Sequence, residues 1–339
     1  MKDLAKTYII AEIGVNHNGS FDIAKQMIDA AKLSGADAVK FQTFTAETLV
    51  SISTPKVDYQ IVTTDKDESH YDMIKSLELS KEVHFEIIKY CKQIQIEFIS
   101  TPYDIQSAKF LDELGVKIFK TASADIVDLP LQKFLADTKK PVLVSTGMAT
   151  LDEVNDVVEI YKAANNSDIT LLHCVSNYPC EYTSLNLNAM LTLGDEFNLA
   201  VGYSDHAKGV YPAVAAVALG AKVVEKHFTL NRAMKGPDHK ASSTPDEFKD
   251  LVTAIRVCEM SLGDHEKKVQ LEEMQMRQVS RKSIFVKNKI GKNTKISLKD
   301  LILKRPGTGL YSKSLLDLDG KFAKYNLEDG HMISMDDVE

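Results

Sequence analysis

The chain has few cysteines. The four, Cys91, Cys174, Cys180 and Cys258, include no CxxC pair and are too sparse for a disulfide scaffold. Cys174 and Cys180 could form a site together, but the expectation is four free, reduced thiols. Basic residues are not in surplus either. With 41 Lys and Arg against 48 Asp and Glu, the formal net charge is −7. That balance argues against nucleic-acid binding, which needs a basic face. A small anion can still be held if a few lysines converge in one pocket. No apolar run is long enough to span a membrane, and the opening "MKDLAKTYIIAEIG" lacks the apolar core of a signal peptide. The expectation is a cytoplasmic protein with no membrane partner. No GxGxxG or Walker glycine loop opens a helix, which weakens a dinucleotide or P-loop reading.

What is present is a cadence. Short β-rich apolar runs recur at 8–16, 36–44, 96–103, 116–125, 141–148, 169–178, 199–206 and 221–229. Stretches with helical spacing separate them. After "NGS", for example, Ile23, Ala24, Met27, Ile28 and Ala31 recur at i, i+3 and i+4, with Ser20 placed to cap the helix and Gly35 to end it. Eight mostly apolar strands alternating with helices imply a parallel sheet covered on both sides. Eight is also the number that closes a (β/α)₈ TIM barrel. A doubly wound open sheet is the alternative. A long insert, 46–80, is polar at first and then helical, and could cover a barrel mouth.

The character of the sequence changes after the barrel segments. The expected organisation is a TIM-barrel catalytic domain over 1–264, a charged helical linker over 265–282 and a small β-rich module over 283–339. The module carries a weak repeat. "KIGKNTKISLKDL" and "NLEDGHMISMDDV" match without gaps, pairing Ile290 with Leu327, Ile296 with Ile333, Ser297 with Ser334 and Asp300 with Asp337. Asn293 and Gly330, the two residue types that best tolerate positive φ, occupy the turn position. The pattern implies pseudo-twofold symmetry.

In a (β/α)₈ barrel the carboxyl ends of the strands share one mouth. Every expected strand ends in polar groups. These are Glu12, Asn16 and His17; Lys40 and Gln42; Ser100 and Thr101; Lys120, Ser123 and Asp125; Ser145 and Thr146; Ser176, Asn177 and Tyr178; Ser204, Asp205 and His206; and Glu225 and His227. Two lysines among hydroxyls suit a phosphate or carboxylate. Lys40 and Lys120 could instead pair with Glu12 and Asp125 as structural ion pairs, or one could be a Schiff-base nucleophile, as in a class I aldolase. His206 and His227, on neighbouring strands, can reach one divalent ion such as Mn²⁺, Mg²⁺, Co²⁺ or Zn²⁺. His17 and His239 are weaker candidates, and His173 reads as a buried, satisfied side chain. "NRAMKGPDHKASSTP" after the last strand would carry Asp238 and His239 over the mouth, or form a plain surface turn.

The motifs "AEIGVNHNGS", "GADAVKFQTF", "FISTPYD", "VSTGMAT", "LLHCVSNYP", "GYSDHAKG", "EKHFTL", "GPDHKAS" and "KRPGTG" together resemble the sialic acid synthase family, in order and over nearly the whole chain. The resemblance implies a TIM barrel with a C-terminal antifreeze-like (SAF) domain. It also implies condensation of phosphoenolpyruvate (PEP) with an N-acylated hexosamine, with release of phosphate, to a sialic acid used in bacterial surface polysaccharide. It assigns PEP binding to Lys40, Thr101, Lys120, Ser123, Ser145, Ser176, Asn177 and Ser204. Mn²⁺, or Mg²⁺ or Co²⁺, falls to His206 and His227, general acid/base work to Glu12, and sugar contacts to Asn16, Gln42, Tyr178 and Asp238. Arg305 of "KRPGTG" resembles an arginine reaching the sugar from the partner subunit, implying a domain-swapped homodimer. Where relatives carry Ser-Gly-Glu, this chain has Ser123-Ala124-Asp125, and the shorter Asp125 would take the glutamate's place. "GPDH" looks more like the neuraminate and legionaminate branch than the pseudaminate one. A carbohydrate-binding protein with a vestigial barrel is the non-enzymatic alternative.

Overall fold

The computed structural model describes residues 4–65 and 67–339. Met1–Asp3, the start of the stretch read for a leader, and Lys66 of the insert lie outside the described residues. The chain divides into two compact units, Met1–Gly263 and Asp264–Glu339. The expected linker therefore clusters with the second unit.

In the first unit the eight strands are β1 (Tyr8–Gly14), β2 (Ala38–Thr43), β3 (Glu97–Pro102), β4 (Phe119–Thr121), β5 (Val142–Ser145), β6 (Ile169–His173), β7 (Ala200–Asp205) and β8 (Val223–His227). All seven ladder pairings are parallel, in the order β3-β2-β1-β8-β7-β6-β5-β4. β3 and β4, at the two ends of that order, lie against each other, so the sheet comes round on itself as a TIM-like barrel. Several strands stop sooner than their apolar runs. β4 ends at Thr121, and Ser123–Val127 forms a 3₁₀ turn.

Helix α1 (Phe21–Leu33) shows how the cover is made. Ser20 caps it by accepting from the Ile23 N–H at 3.3 Å, and Ala24, Met27, Ile28 and Ala31 are buried on its inner face. The insert folds as three short helices, α2 (Ala46–Leu49), α3 (Asp58–Thr63) and α4 (His70–Ser76).

Inside the barrel, the period of two along each strand separates structure from chemistry. Ile10, Ala38, Ile99, Leu143, Leu172 and Val223 form an apolar plug. Two residues further along the same strands stand Glu12, Lys40, Thr101, Ser145 and Glu225, all buried. These five strands, β1, β2, β3, β5 and β8, thus start inward-apolar and end inward-polar. The register sets Glu12 beside Lys40 on one side and His227 on the other, and Ser204 beside Glu225.

The second unit pairs β9 (Ser283–Val286) with β10 (Leu301–Lys304) in antiparallel fashion. Its repeat is real in three dimensions. Ile290 and Leu327 exchange backbone hydrogen bonds at 2.9 and 2.8 Å. The Ile296 N–H donates to Lys321 O at 2.8 Å, and its counterpart, the Ile333 N–H, donates to Ile284 O at 3.1 Å. Ser297 with Asp300 and Ser334 with Asp337 form matching capping boxes, and Asn293 and Gly330 both have positive φ, 58° and 81°.

Candidate active site

A cavity of about 700 Å³ opens at the carboxyl ends of the strands. It is lined by Glu12, Lys40, Gln42, Lys120, Ser123, Ser145, Ser176, Asn177, Tyr178, Ser204, His206, Glu225, His227 and Asp238, with apolar residues of the insert opposite.

At its floor lies a buried charge relay. Lys40 Nζ is 2.8 Å from Glu12 Oε2 and 3.7 Å from Glu225 Oε1, and it donates to Thr101 Oγ1 at 3.1 Å. Lys120 Nζ is 3.8 Å from Glu225 Oε2 and donates to Thr121 O at 3.0 Å. Glu225 therefore stands between both lysines and also accepts from Ser204 Oγ at 3.1 Å. The alternative of structural ion pairs holds for Lys40 with Glu12, but Lys120 turns to Glu225 rather than Asp125. Burial raises the carboxyl of Glu12 to about 7, against the pull of Lys40. Burial also opposes charge on Glu225, yet Lys120 and Lys40 hold its carboxyl below the usual range. Two neighbouring carboxylates driven apart in this way separate into a proton carrier and a fixed anion.

Two imidazoles face the same space, with ring centroids 5.6 Å apart. His206 Nδ1 lies 2.8 Å from Val175 O, which can only accept, so Nδ1 carries the proton and Nε2 keeps its lone pair. His227 Nδ1 is buried with no hydrogen-bond partner among the described residues. Burial lowers the basicity of both rings, so both are neutral at neutral pH, the form that ligates metal. The pair fits a divalent ion held by two protein nitrogens. Among the described residues no group of three or more His, Cys, Asp or Glu is arranged to hold one. The ring of Tyr178 lies 4.3 Å from that of His206. Asp205 faces away from the cavity. It accepts from the Ala207 N–H at 2.9 Å and from Lys226 Nζ at 2.6 Å, gripping the residue after His206 rather than the imidazole itself.

On the β4–β6 side Ser123 Oγ accepts from the Gly147 N–H at 3.1 Å and lies 3.1 Å from Cys174 Sγ. A Cβ on Gly147 would come within 2.5 Å of Ser176 Oγ and 2.8 Å of Ser123 Oγ, so only glycine leaves this cradle open. Across the mouth, Gln42 Nε2 donates to Glu12 Oε1 at 3.2 Å, and burial raises the Asp238 carboxyl to about 6.

Not every expected contact is made. Asn16 is fully buried behind the wall, donating to Phe228 O and Ser242 Oγ at 2.9 Å each. It ties the β1 and β8 loops together and does not line the cavity. Thr101 does not line it either and acts through Lys40. Asp125 sits in the 3₁₀ turn after β4, outside the lining, where burial and then Asp128 raise its carboxyl to about 7. Arg305 is exposed directly after β10 in the second unit. His173 is buried and donates Nε2–H to Leu185 O at 2.7 Å. His17 accepts the Gly19 N–H, and His239 Nδ1 meets Thr229 Oγ1 at 2.7 Å. All four cysteines are free.

Glu225 and His70, which line the cavity, and Gly147, which borders Ser123 and Ser176, took no role from the sequence. Glu225 could have been found from its i, i+2 spacing to His227. Gly147 and His70, the latter on α4, left no such signal.

The NeuB family model matches residues 27–267, and a SAF domain model matches residues 281–339. The chain is 45% identical over 336 residues to the N,N′-diacetyllegionaminic acid synthase of Legionella pneumophila, covering 98% of this chain and 94% of that protein. Its similarity to the synthase of the same name from Campylobacter jejuni is 44% over 332 residues, covering 97% and 99%. Among solved structures, the N-acetylneuraminic acid (sialic acid) synthetase of Leptospira borgpetersenii matches with a TM-score of 0.71 at 34% identity, over 80% of this chain and 90% of that one. With the barrel matched by one model, the C-terminal module by the other and two relatives matched over nearly their full length, the chain belongs to the NeuB family, that of the sialic acid synthases with a SAF domain.

Proposed function

We propose that the chain condenses PEP with 2,4-diacetamido-2,4,6-trideoxymannose to N,N′-diacetyllegionaminate and phosphate. The supporting observation is the single cavity in which Lys40, Lys120, Glu12, Glu225, His206 and His227 converge, taken with near-full-length similarity to two synthases of that name.

The anionic groups of PEP suit Lys40, Lys120, the hydroxyls of Ser123, Ser145, Ser176 and Ser204, and the Asn177 amide. Its methylene carbon forms a bond to the aldehyde carbon of the open-chain sugar. Water captures the cation left at C2, and the tetrahedral intermediate expels phosphate by C–O cleavage. Glu12, with its carboxyl near 7, is suited to supply a proton to the aldehyde oxygen and to receive one from the attacking water. Glu225 stays charged and keeps the two lysines apart. Gln42, Tyr178 and Asp238 suit the sugar.

Even with Glu12 protonated, Glu225 offsets one of the two floor lysines, so PEP brings more negative charge than the floor can meet. A divalent cation at His206 and His227, Mn²⁺ or alternatively Mg²⁺ or Co²⁺, would balance that charge and act as a Lewis acid on the aldehyde. Arg305 belongs to the same reading as a residue reaching a partner subunit's sugar in a domain-swapped homodimer. Arg305→Ala should then raise the sugar KM far more than the PEP KM, and light scattering should report a dimer. A reaction that draws on PEP suits the cytoplasm. No helix among the described residues is long and apolar enough to cross a membrane.

The test is phosphate release from PEP over a panel of N-acyl sugars, with the product identified by mass. Chelation should stop the reaction and Mn²⁺ restore it. Absence of phosphate release with every sugar would overturn the assignment. Borohydride trapping of Lys40 or Lys120 would favour the Schiff-base aldolase instead.

A further inference from the structure

The cavity is two-sided. Against the charged floor stands an apolar wall that helix α4 of the insert supplies. His70, Met73, Ile74 and Leu77 recur at i, i+3, i+4 and i+7 and all line the cavity. The outer face of α4 is polar, with Tyr71 donating to Glu47 at 3.0 Å and Lys75 Nζ 2.8 Å from Glu47 Oε1. Met73 and Leu77 are buried in a cluster with Val15 and Phe44, and Leu49 and Ile74 pack onto it. At the top of this face His70 Nδ1 is buried with no hydrogen-bond partner among the described residues. PEP, with its carboxylate and phosphate, gains nothing from such a surface, so the wall belongs to the second substrate.

We propose that this face of α4, with Leu49 at the end of α2 beside it, selects the acceptor: Leu49, Ile74 and Met73 receive its methyl groups, and His70 hydrogen-bonds the acetamido group at C4. The inference rests on the synthase reading above. A 2,4-diacetamido-2,4,6-trideoxy sugar offers a methyl at C6 and an acetamido group at C4. N-acetylmannosamine offers hydroxyls at both: that at C6 would be buried against apolar side chains that cannot pair with it, and that at C4 lacks the length of an acetamido group to reach His70. A site built for one set rejects the other because unpaired polar groups are left on one side or both. Burial lowers the basicity of His70, so its ring stays neutral and can pair with an amide.

The experiment measures kcat/KM for both sugars, with PEP KM and thermal transition, in the wild type, Ile74→Asn and His70→Ala. The wild type should favour the diacetamido sugar by about a hundredfold, and each substitution should narrow that ratio by about tenfold while PEP KM moves less than about twofold. An unchanged ratio in both folded variants, or equal loss on both sugars, would overturn the proposal. If Ile74→Asn fails to fold, Leu49→Ser takes its place. A wild type that prefers N-acetylmannosamine would sink the wall while leaving the synthase reading intact. No phosphate release with either sugar would sink both.

Discussion

The two units of this chain treat buried polar groups in opposite ways. In the C-terminal unit, Asp337 is buried and fully used. It accepts from the Ser334 N–H at 2.7 Å, from Ser334 Oγ at 3.0 Å, from His331 Nε2 at 3.0 Å and from Tyr325. Among the described residues, the buried side-chain nitrogen and oxygen atoms left without a hydrogen bond all lie in the barrel unit, His227 Nδ1, Asp125 Oδ2 and His70 Nδ1 among them. Such atoms cost stability where they stand and are kept where a ligand completes them. The satisfied unit is built to hold a shape, and the unsatisfied one to receive molecules.

The sharpest way to break this contrast is Lys40→Met. It leaves Glu12 and Glu225 buried with one cation fewer, and phosphate release should fall by about a thousandfold, the scale of one removed partner in a buried charged pair. Steady-state kinetics decide it, and a loss below tenfold would make Lys40 a structural counterion only. Glu12→Gln comes next, with an expected loss of about a hundredfold, the scale of general acid/base catalysis. In the folded protein Glu12 keeps its proton to about pH 7, whereas the unfolded chain releases it near the ordinary carboxyl value. The folded state thus binds more protons between those values, and stability falls as pH rises through that window. The Gln variant removes this contribution, so its Tm should drop less than that of the wild type between pH 5 and pH 8. The wild-type pH–rate limb near 7 should vanish with it.

His206→Ala and His227→Ala should each weaken Mn²⁺ binding by about a hundredfold, a scale already reached by changes behind a metal ligand. Electron paramagnetic resonance titration reads this without turnover, and wild-type affinity in either variant would remove that ligand. Gly147→Ala fills the cradle between Ser123 and Ser176 and should raise the PEP KM by about tenfold with little change in Tm, the effect of a small misplacement at the reacting centre. The smallest effect belongs to the satisfied unit. Asn293→Gly makes the first turn of the repeat match the second and should stabilise by less than about 1 kcal/mol, since asparagine already tolerates this φ of 58°. Denaturant unfolding measures it.

The barrel and the repeat were legible because both are written in short periods. Eight short apolar runs alternating with helical spacing, and polar residues at the strand ends, announce a shared mouth before any coordinate is known. The partners of Ser297 and Ser334 are three residues away, so their capping boxes can be read directly. Contacts set across strands were not legible. Lys120 turned out to face Glu225 and not Asp125, because Asp125 had left the strand for a 3₁₀ turn. Asn16 read as a mouth residue and proved to be a tether between loops 212 residues apart.

The amino-acid order by itself determined the eight-strand cadence, the polar strand ends, the C-terminal repeat and, through its ordered motifs, the family. These follow from local periodicity and near neighbours, which a linear sequence records. Only the tertiary structure decided that Glu225 stands between two lysines, that Val175 leaves His206 its Nε2 lone pair, and that α4 turns an apolar face to the cavity. Each depends on register between distant segments, where a shift of one residue turns every side chain of a strand to the opposite face.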